Sequence, residues 1–482
     1  LQKEQLDKTI QARLAESDRE NKSLTEENSR LTKEIESKRK ELENLKSKER
    51  DRLENDNKKL LARNVALKQE AEEIEDYLQT SVKNAKQYAF DGFIASKMLD
   101  AASQWASDEA NKQITSGATN LDKLPVLPHK GKELANYLTE RVQQYRKYDQ
   151  DTVLNLFLTT TQNFLTVFSG APGSGKTSIC NIMANALGLD VVSQLAQEQN
   201  ISAMDRYLPI SVERGWTSKR DFVGYWNPLT KTFESLDVRR YEAFKQLDAE
   251  KKAKIDNLPF MMLLDEANLS PMEYYWADFM NICDSRNRMS SISLGDKSHY
   301  LVPDTLRFVA TINNDHTTER LSPRLIDRAS VITLPEADWD IHQSDAALSP
   351  AKGIVSWQSM LELFNAYQPL NDRASETLDY IFSSFDELQT NISPRIKSAV
   401  TRHVIAGSRL FSDTHQLPYM TAIDFAVAQK LLPLIDGSGE EYKKGLDNLL
   451  TYLNNLELTR SSALLSSILL RGERMMDYYR FF

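Results

Sequence analysis

Two short stretches of this chain carry residue types and spacings that could do chemistry. The first is GAPGSGKTS, residues 170–178. Gly170 and Gly175 bracket four residues, and Lys176 and Thr177 follow at once, which is the pattern of a phosphate-binding loop. Glycines let backbone N–H groups turn inward around an anion, and a following helix adds the positive end of its dipole. Gly170, Pro172, Gly173, Ser174, Gly175, Lys176, Thr177 and Ser178 form the expected nucleotide-binding stretch. Lys176 is expected to reach the β and γ phosphates, and Thr177 to give a hydroxyl to Mg²⁺.

The second stretch is LLDEANLSP, residues 263–271, an apolar run that stops at two adjacent carboxylates. If the strand ended at that point, both acids could serve one site. Asp265 would then face a metal held by Thr177, and Glu266 would orient and polarise an attacking water as a general base. The plainer reading is that the pair only caps the next helical stretch, PMEYYWADFMNICD.

These stretches need elements to position them. Apolar strand candidates lie at 164–169, 207–212, 259–264, 306–312 and 330–334, separated by helical or irregular sequence. That alternation predicts an α/β fold with a parallel sheet covered by helices on both faces. A helix is expected over about 132–163, and a helical region from about 356 to the end. Residues 116–132 read as a linker.

The front of the chain differs. Its first aromatic residue is Tyr77, its first glycine Gly92 and its first proline Pro125. Apolar residues fall at Leu24, Leu31, Ile35, Leu42, Leu45, Leu53, Leu60 and Leu67, steps of seven, four, seven, three, eight, seven and seven. This is a coiled-coil seam with one irregular step, and it predicts a partner strand. The strand number and orientation stay open.

Composition bounds the rest. With 482 residues, 41% of them hydrophobic, the chain is too long for one ordinary domain. The formal net charge of -9 argues against nucleic-acid binding by the whole surface, though a basic channel stays open. Two cysteines, Cys180 and Cys283, without metal-ligand spacing fit a reducing, cytoplasmic setting. Cys180 is expected to be buried and inert. No stretch approaches the roughly 18 apolar residues of a membrane span, so no membrane partner is expected.

Taken together, Gly170–Thr177, Asp265–Glu266, the polar-tipped FVATINN and the arginine-bearing LSPRLIDRAS resemble the AAA+ ATPases. GWTSKRDFVGYWNPLT, residues 215–230, resembles a segment of McrB-type restriction motors, a branch shared with MoxR, midasin and dynein motors. The resemblance covers about residues 150–436. It implies an AAA+ P-loop sheet with a C-terminal helical lid, joined to the coiled coil. The expected organisation is coiled coil 1–80, a helical region 81–149, the nucleotide-binding domain 150–345, and lid and C-terminal helices 346–482.

The resemblance also implies roles. Asn313, or Asn314 one residue on, matches the sensor-1 amide that holds the attacking water or γ phosphate. Arg324 or Arg328 matches the finger that reaches a neighbour's nucleotide, with Arg328 the first choice. Arg395, in ISPRIKSAV, matches the sensor-2 arginine and is expected on the γ phosphate of its own subunit. The long stretch between Lys176 and Asp265 resembles the inserted helix-2 element, and residues 290–304 a hairpin turning at Gly295. Arg214, Trp216, Lys219 and Arg220 mix basic and aromatic groups as a nucleic-acid contact would, or pack the insert on the core, which is the favoured reading.

The function implied is hydrolysis of ATP or GTP with Mg²⁺ by a homo-oligomeric ring, most simply a hexamer. The setting implied is an McrB-like bacterial defence system in which the motor drives a nuclease subunit, with nucleic acid as an open partner. The alternatives are a MoxR- or midasin-like protein-remodelling chaperone and a nucleotide-switched coiled-coil scaffold.

Overall fold

A computed structural model describes residues 2–85, 121–201, 203–227, 232–255, 257–283, 291–293, 299–313, 318–334, 348–365 and 369–482. The chain divides into two units, Leu1–Ala106 and Ser107–Phe482. The described part of the first is one helix, α1 (Gln2–Ala85), 84 residues long. Asn314 and Gly295 lie outside the described residues.

The second unit opens with α2 (Gly131–Gln143) and α3 (Gln150–Gln162). One helix was expected here, but the chain breaks between them. Asp149 stands in extended conformation and its carboxylate accepts the Thr152 N–H at 2.6 Å, an N-cap that starts a new helix. The break has a consequence for the site, because it turns Arg146 toward the phosphate loop.

Nine strands and several helices follow: β1 (Leu165–Gly170), α4 (Lys176–Ala186), α5 (Val192–Glu198), β2 (Tyr207–Ser211), α6 (Lys219–Phe222), β3 (Tyr225–Asn227), β4 (Thr232–Glu234), α7 (Val238–Ala253), β5 (Phe260–Asp265), α8 (Met272–Tyr275), α9 (Ala277–Ile282), β6 (Ser291–Ser293), β7 (His299–Leu301), β8 (Leu306–Asn313), α10 (Pro323–Ile326) and β9 (Ser330–Thr333). Five of the strands form one parallel sheet in the order β2-β5-β8-β1-β9. These are the five segments expected from apolar runs. Parallel strands lie between helical layers and are buried on both faces, so they read as continuous hydrophobic sequence rather than alternation. β1 is buried at every position. The arrangement is the expected α/β fold, a parallel sheet flanked by helices with helices following it.

Pairing sets what meets at each end of the sheet. Gly170 stands opposite Asn313, and Leu264 opposite Ala310. The carboxyl ends of β1, β5 and β8 therefore converge on one rim, where ligands of open α/β sheets bind. Beneath one face, Trp276, Phe279 and Phe308 pack with ring centroids 5.0–5.7 Å apart. At the sheet's edge, Arg206 and Glu250 form a buried bidentate pair at 2.6 and 3.0 Å. Arg206 also donates to the carbonyls of Leu258 and Pro259. That pair ties α7 to the chain entering β5.

After β9 come α11 (Trp357–Phe364), α12 (Asp372–Glu387), α13 (Pro394–Leu410) and α14 (Pro418–Ala426), then a π turn over Val427–Leu431. β10 (Asp436–Ser438), α15 (Glu440–Asn455), α16 (Thr459–Arg474) and β11 (Tyr478–Arg480) end the chain. The region is helical as expected, except that β10 and β11 pair as a small antiparallel ribbon. Among the described residues no helix is long and apolar enough to cross a membrane.

Candidate active site

The phosphate loop leaves β1 at Gly170 and enters α4 at Lys176. Gly173 and Gly175 both have φ of 81°, a conformation that side-chain-bearing residues rarely adopt. A methyl at Gly170 would lie 2.8 Å from Ser174 Oγ and 3.4 Å from the Leu334 carbonyl, so the loop packs closely there. Lys176 is buried, and its ammonium donates to the carbonyls of Gly170 at 3.0 Å and Ala171 at 2.8 Å. Its charge is thereby folded back over the loop. Pro172 and Gly173 are exposed at the tip, and Ser178 is half-buried in the first turn of α4. Ser174 Oγ is buried and makes no hydrogen bond within the protein, so the loop retains capacity for a polar ligand.

Asp265 and Glu266 do meet at one site, and the backbone shows how. β5 ends at Asp265, and Glu266 adopts a left-handed conformation at φ 54°, ψ 44°. This is unusual for a glutamate. Its N–H donates to Thr311 Oγ1 at 2.8 Å, which holds the turn. The Thr311 hydroxyl donates in turn to Asp265 Oδ1 at 2.6 Å. Thr177 donates its own hydroxyl to the same oxygen at 2.7 Å. One carboxylate oxygen is thus shared by the first turn of α4 and the middle strand β8, and the exposed Glu266 side chain is swung out beside it. The helix-cap reading gives way here, since no side-chain cap bond from Glu266 to the following turn is formed.

The donor set fits a magnesium ion. Thr177 and Asp265 would hold it, and when bound it would polarise phosphate oxygens. Among the described residues no group of three or more His, Cys, Asp or Glu side chains is arranged as a metal cage. Magnesium at such sites takes few protein ligands and completes its shell with water and phosphate.

Three residues that the sequence did not single out complete this rim. Thr311 bridges the two acids. Asn268 is buried, and its amide mimics a neighbouring backbone: it donates to the carbonyls of Asn313 at 2.9 Å and Glu319 at 3.0 Å and accepts from the Asn313 N–H at 3.2 Å. It pins Asn313, the expected sensor, to the turn that carries Glu266. Arg146 is the third. A methyl built on Gly175 would lie 2.9 Å from its Nη2, so the guanidinium lies against the phosphate loop. The guanidinium also donates to the Tyr145 carbonyl over a long 3.4 Å. The polar tip of FVATINN announced the first of these; nothing local announced the others.

The remaining arginines lie elsewhere. Arg328 precedes β9, and Ser330 of that strand pairs with Thr166 near the start of β1. Arg328 is therefore at the amino edge of the sheet, a strand's length of about 20 Å from the loop. Its Nε donates to the Met280 carbonyl at 3.1 Å and its Nη1 to the Arg324 carbonyl at 2.9 Å. Arg324 itself is exposed. Arg395 belongs to the same edge and not to the phosphate loop of its own chain. It pairs with Asp327, and Ser393 Oγ donates to the other oxygen of that carboxylate at 2.5 Å. Arg395 was expected on the γ phosphate of its own subunit; in this structure α13 seats it on the amino edge, apart from that loop, where Arg402 also donates to the Gln162 carbonyl.

These groups line a cleft of about 940 Å³ that includes Arg307, Arg328, Arg395, Arg402 and Lys430 against Asp304 and Asp327. Its lining includes none of the phosphate-loop residues. Burial and neighbouring arginines push Lys430 down to about 7, and its ammonium donates to the Ala329 carbonyl at 2.9 Å. Burial likewise lowers Arg307 to about 10, while it donates to the Thr161 carbonyl and lies over Trp357.

The mixed basic and aromatic group of the insert resolves mainly into packing. Trp216 is buried against Tyr275 at 5.2 Å and beneath Arg240 at 5.3 Å. Lys219 bridges Asp278 and the Ser293 carbonyl, both at 3.0 Å. Arg214 and Arg220 are exposed. β3 with β4 and β6 with β7 each form an antiparallel hairpin, the second within the expected segment. Cys180 is buried, and burial raises its thiol well above the ordinary range, in keeping with an inert residue.

Comparison with known proteins adds the following. Residues 349–478 match a family described as a domain of unknown function, DUF8727. A solved structure named "putative ATPase" from Cytophaga hutchinsonii is similar at 17% identity and a TM-score of 0.45, over 67% of this chain and 96% of that one. No curated protein matches.

Proposed function

We propose that this chain is a magnesium-dependent nucleoside triphosphatase that works as a homo-oligomeric ring, most simply a hexamer. The observation that carries the reading is the Thr177–Asp265–Thr311–Glu266 chain of hydrogen bonds beside the phosphate loop. It sets a metal-ligand pair next to an exposed carboxylate that can orient water, and Lys176, Ser174 and the N–H groups of α4 can receive phosphates. Asn313 would hold the attacking water. Arg328 and Arg395 line a cleft remote from their own loop, so on this reading both act on a neighbouring subunit's nucleotide, Arg328 as the finger.

The finer assignment is an McrB-like defence motor that drives a nuclease subunit, supported by the resemblance of residues 215–230. The test is steady-state hydrolysis of ATP and GTP in parallel over a series of protein concentrations. Specific activity that rises with concentration and favours one base supports a ring motor and names its fuel. Binding without turnover at every concentration would favour a nucleotide-switched scaffold.

A further inference from the structure

The seam of α1 holds more than apolar residues. Placing Leu24 and Leu31 at position d of the heptad puts Asn21 and Asn28 at position a, with Ile35 and Leu42 continuing that row. After the irregular step, Leu53, Leu60 and Leu67 take position d, and Asn57 and Asn64 fall at a. Both halves of the helix therefore repeat an asparagine row beside a leucine row. In the single chain this seam is open: Leu31 is 48% exposed and Leu60 58%.

Layer geometry decides which partner fits. In a parallel, in-register pair each a residue faces its own copy, so asparagine meets asparagine and leucine meets leucine. In an antiparallel pair a faces d, and each of these asparagines would be buried against a leucine with its amide unsatisfied. Flanking charge gives an independent answer. Positions g in the first half are Glu20, Glu27, Glu34 and Glu41, and the e positions that meet them in a parallel pair are Thr25, Thr32, Arg39 and Lys46. Antiparallel pairing along the helix would instead set these g glutamates against the g positions of the second half, Glu49, Asp56, Arg63 and Glu70, three of which are acidic. The two threonines donate to their own helix, on the Asn21 and Asn28 carbonyls, and so leave the asparagine amides to each other.

We infer that α1 pairs with a second copy of this chain as a parallel, in-register, two-stranded coiled coil, with Asn21, Asn28, Asn57 and Asn64 setting the register. A different protein would have to reproduce the same asparagine rows; a second copy does so by identity. The inference deepens the assembly reading above and does not depend on the nucleotide chemistry.

The test is disulfide cross-linking of the full-length chain carrying Asn28→Cys or Asn57→Cys, each alone, with the unaltered chain as control. These positions are about 43 Å apart along the helix at 1.5 Å per residue. An antiparallel pair has one crossing point, so at most one of them could meet itself. The expected result is that both variants oxidise to a species of twice the 55.1 kDa chain mass, and that the conversion runs to completion. Failure of either to cross-link would overturn the parallel register, and a persistent monomer fraction would overturn two strands in favour of an odd number. Hydrolysis by the same variants is expected to match the unaltered chain. Full hydrolysis without cross-linking would sink this inference alone, whereas cross-linking without hydrolysis in any form would count against the proposed activity.

Discussion

The two rims of the central sheet are chemical opposites. At the carboxyl rim, hydroxyls and carboxylates are joined in a bonded chain around Asp265, and Lys176 is folded onto its own loop. At the amino rim, Arg307, Arg328, Arg395, Arg402 and Lys430 line one cleft against two aspartates. On the proposed reading the first rim holds a phosphate chain and a cation, and the second supplies cations that stabilise the negative charge developing in phosphoryl transfer. A six-residue strand keeps them about 20 Å apart, too far for either to complete the other within one chain. On the proposed reading, each chain carries two halves of different sites.

Breaking the amino rim should have the largest effect. Arg328→Ala is expected to lower turnover by roughly 10³ or more, the scale of arginine fingers, while nucleotide affinity of the isolated chain stays unchanged. Fluorescent-nucleotide binding beside steady-state rates checks both halves. Breaking the carboxyl rim at Glu266→Gln should lower turnover by roughly 10² to 10⁴ with binding retained, because the bonds around Asp265 use the Glu266 backbone and not its carboxylate. Unchanged hydrolysis would remove Glu266 from the base role.

A smaller effect sharpens where the carboxyl rim ends. Arg146→Ala should weaken nucleotide binding about tenfold, the loss of one charge-assisted contact of about 1.4 kcal/mol, and Arg146→Lys should restore part of it. Equal affinity in all three forms would leave Arg146 a packing residue. The stability counterpart is Glu250→Ala, which strands Arg206 without its buried partner and should destabilise by about 3–5 kcal/mol, read by chemical denaturation.

The smallest effect is a change of slope. Lys430 is held near 7 in the folded chain against an ordinary 10.5. Between those values the unfolded chain binds more protons than the folded one, so this residue makes stability rise with pH. Lys430→Met should flatten that rise across pH 7 to 10.5, as measured by denaturant midpoints. An unaltered slope would show that the ammonium is not confined at the amino rim.

What could be read in the sequence was what is local. The five sheet strands announce themselves as apolar runs because both faces are covered, and the phosphate loop is one contiguous motif. The helix break before Asp149 was missed because its cap is a single bond in otherwise helical sequence. The β10–β11 ribbon was missed because three residues per strand carry no period. The place of Arg395 could not be read in the sequence, since its partner Asp327 lies 68 positions away and only the docking of α13 brings them together. Arg146, Asn268 and the Arg206–Glu250 pair were silent for the same reason: their partners are set by tertiary packing.

The central claim is that the two rims act across neighbouring chains, and mixing two inactive forms tests it most directly. Arg328→Ala keeps an intact phosphate loop, and Lys176→Ala keeps an intact amino rim. Combined, they should hydrolyse nucleotide faster than the sum of the two alone, because mixed interfaces pair an intact loop with an intact arginine. Activity no greater than that sum at any ratio, in a mixture shown to co-assemble, would contradict the account.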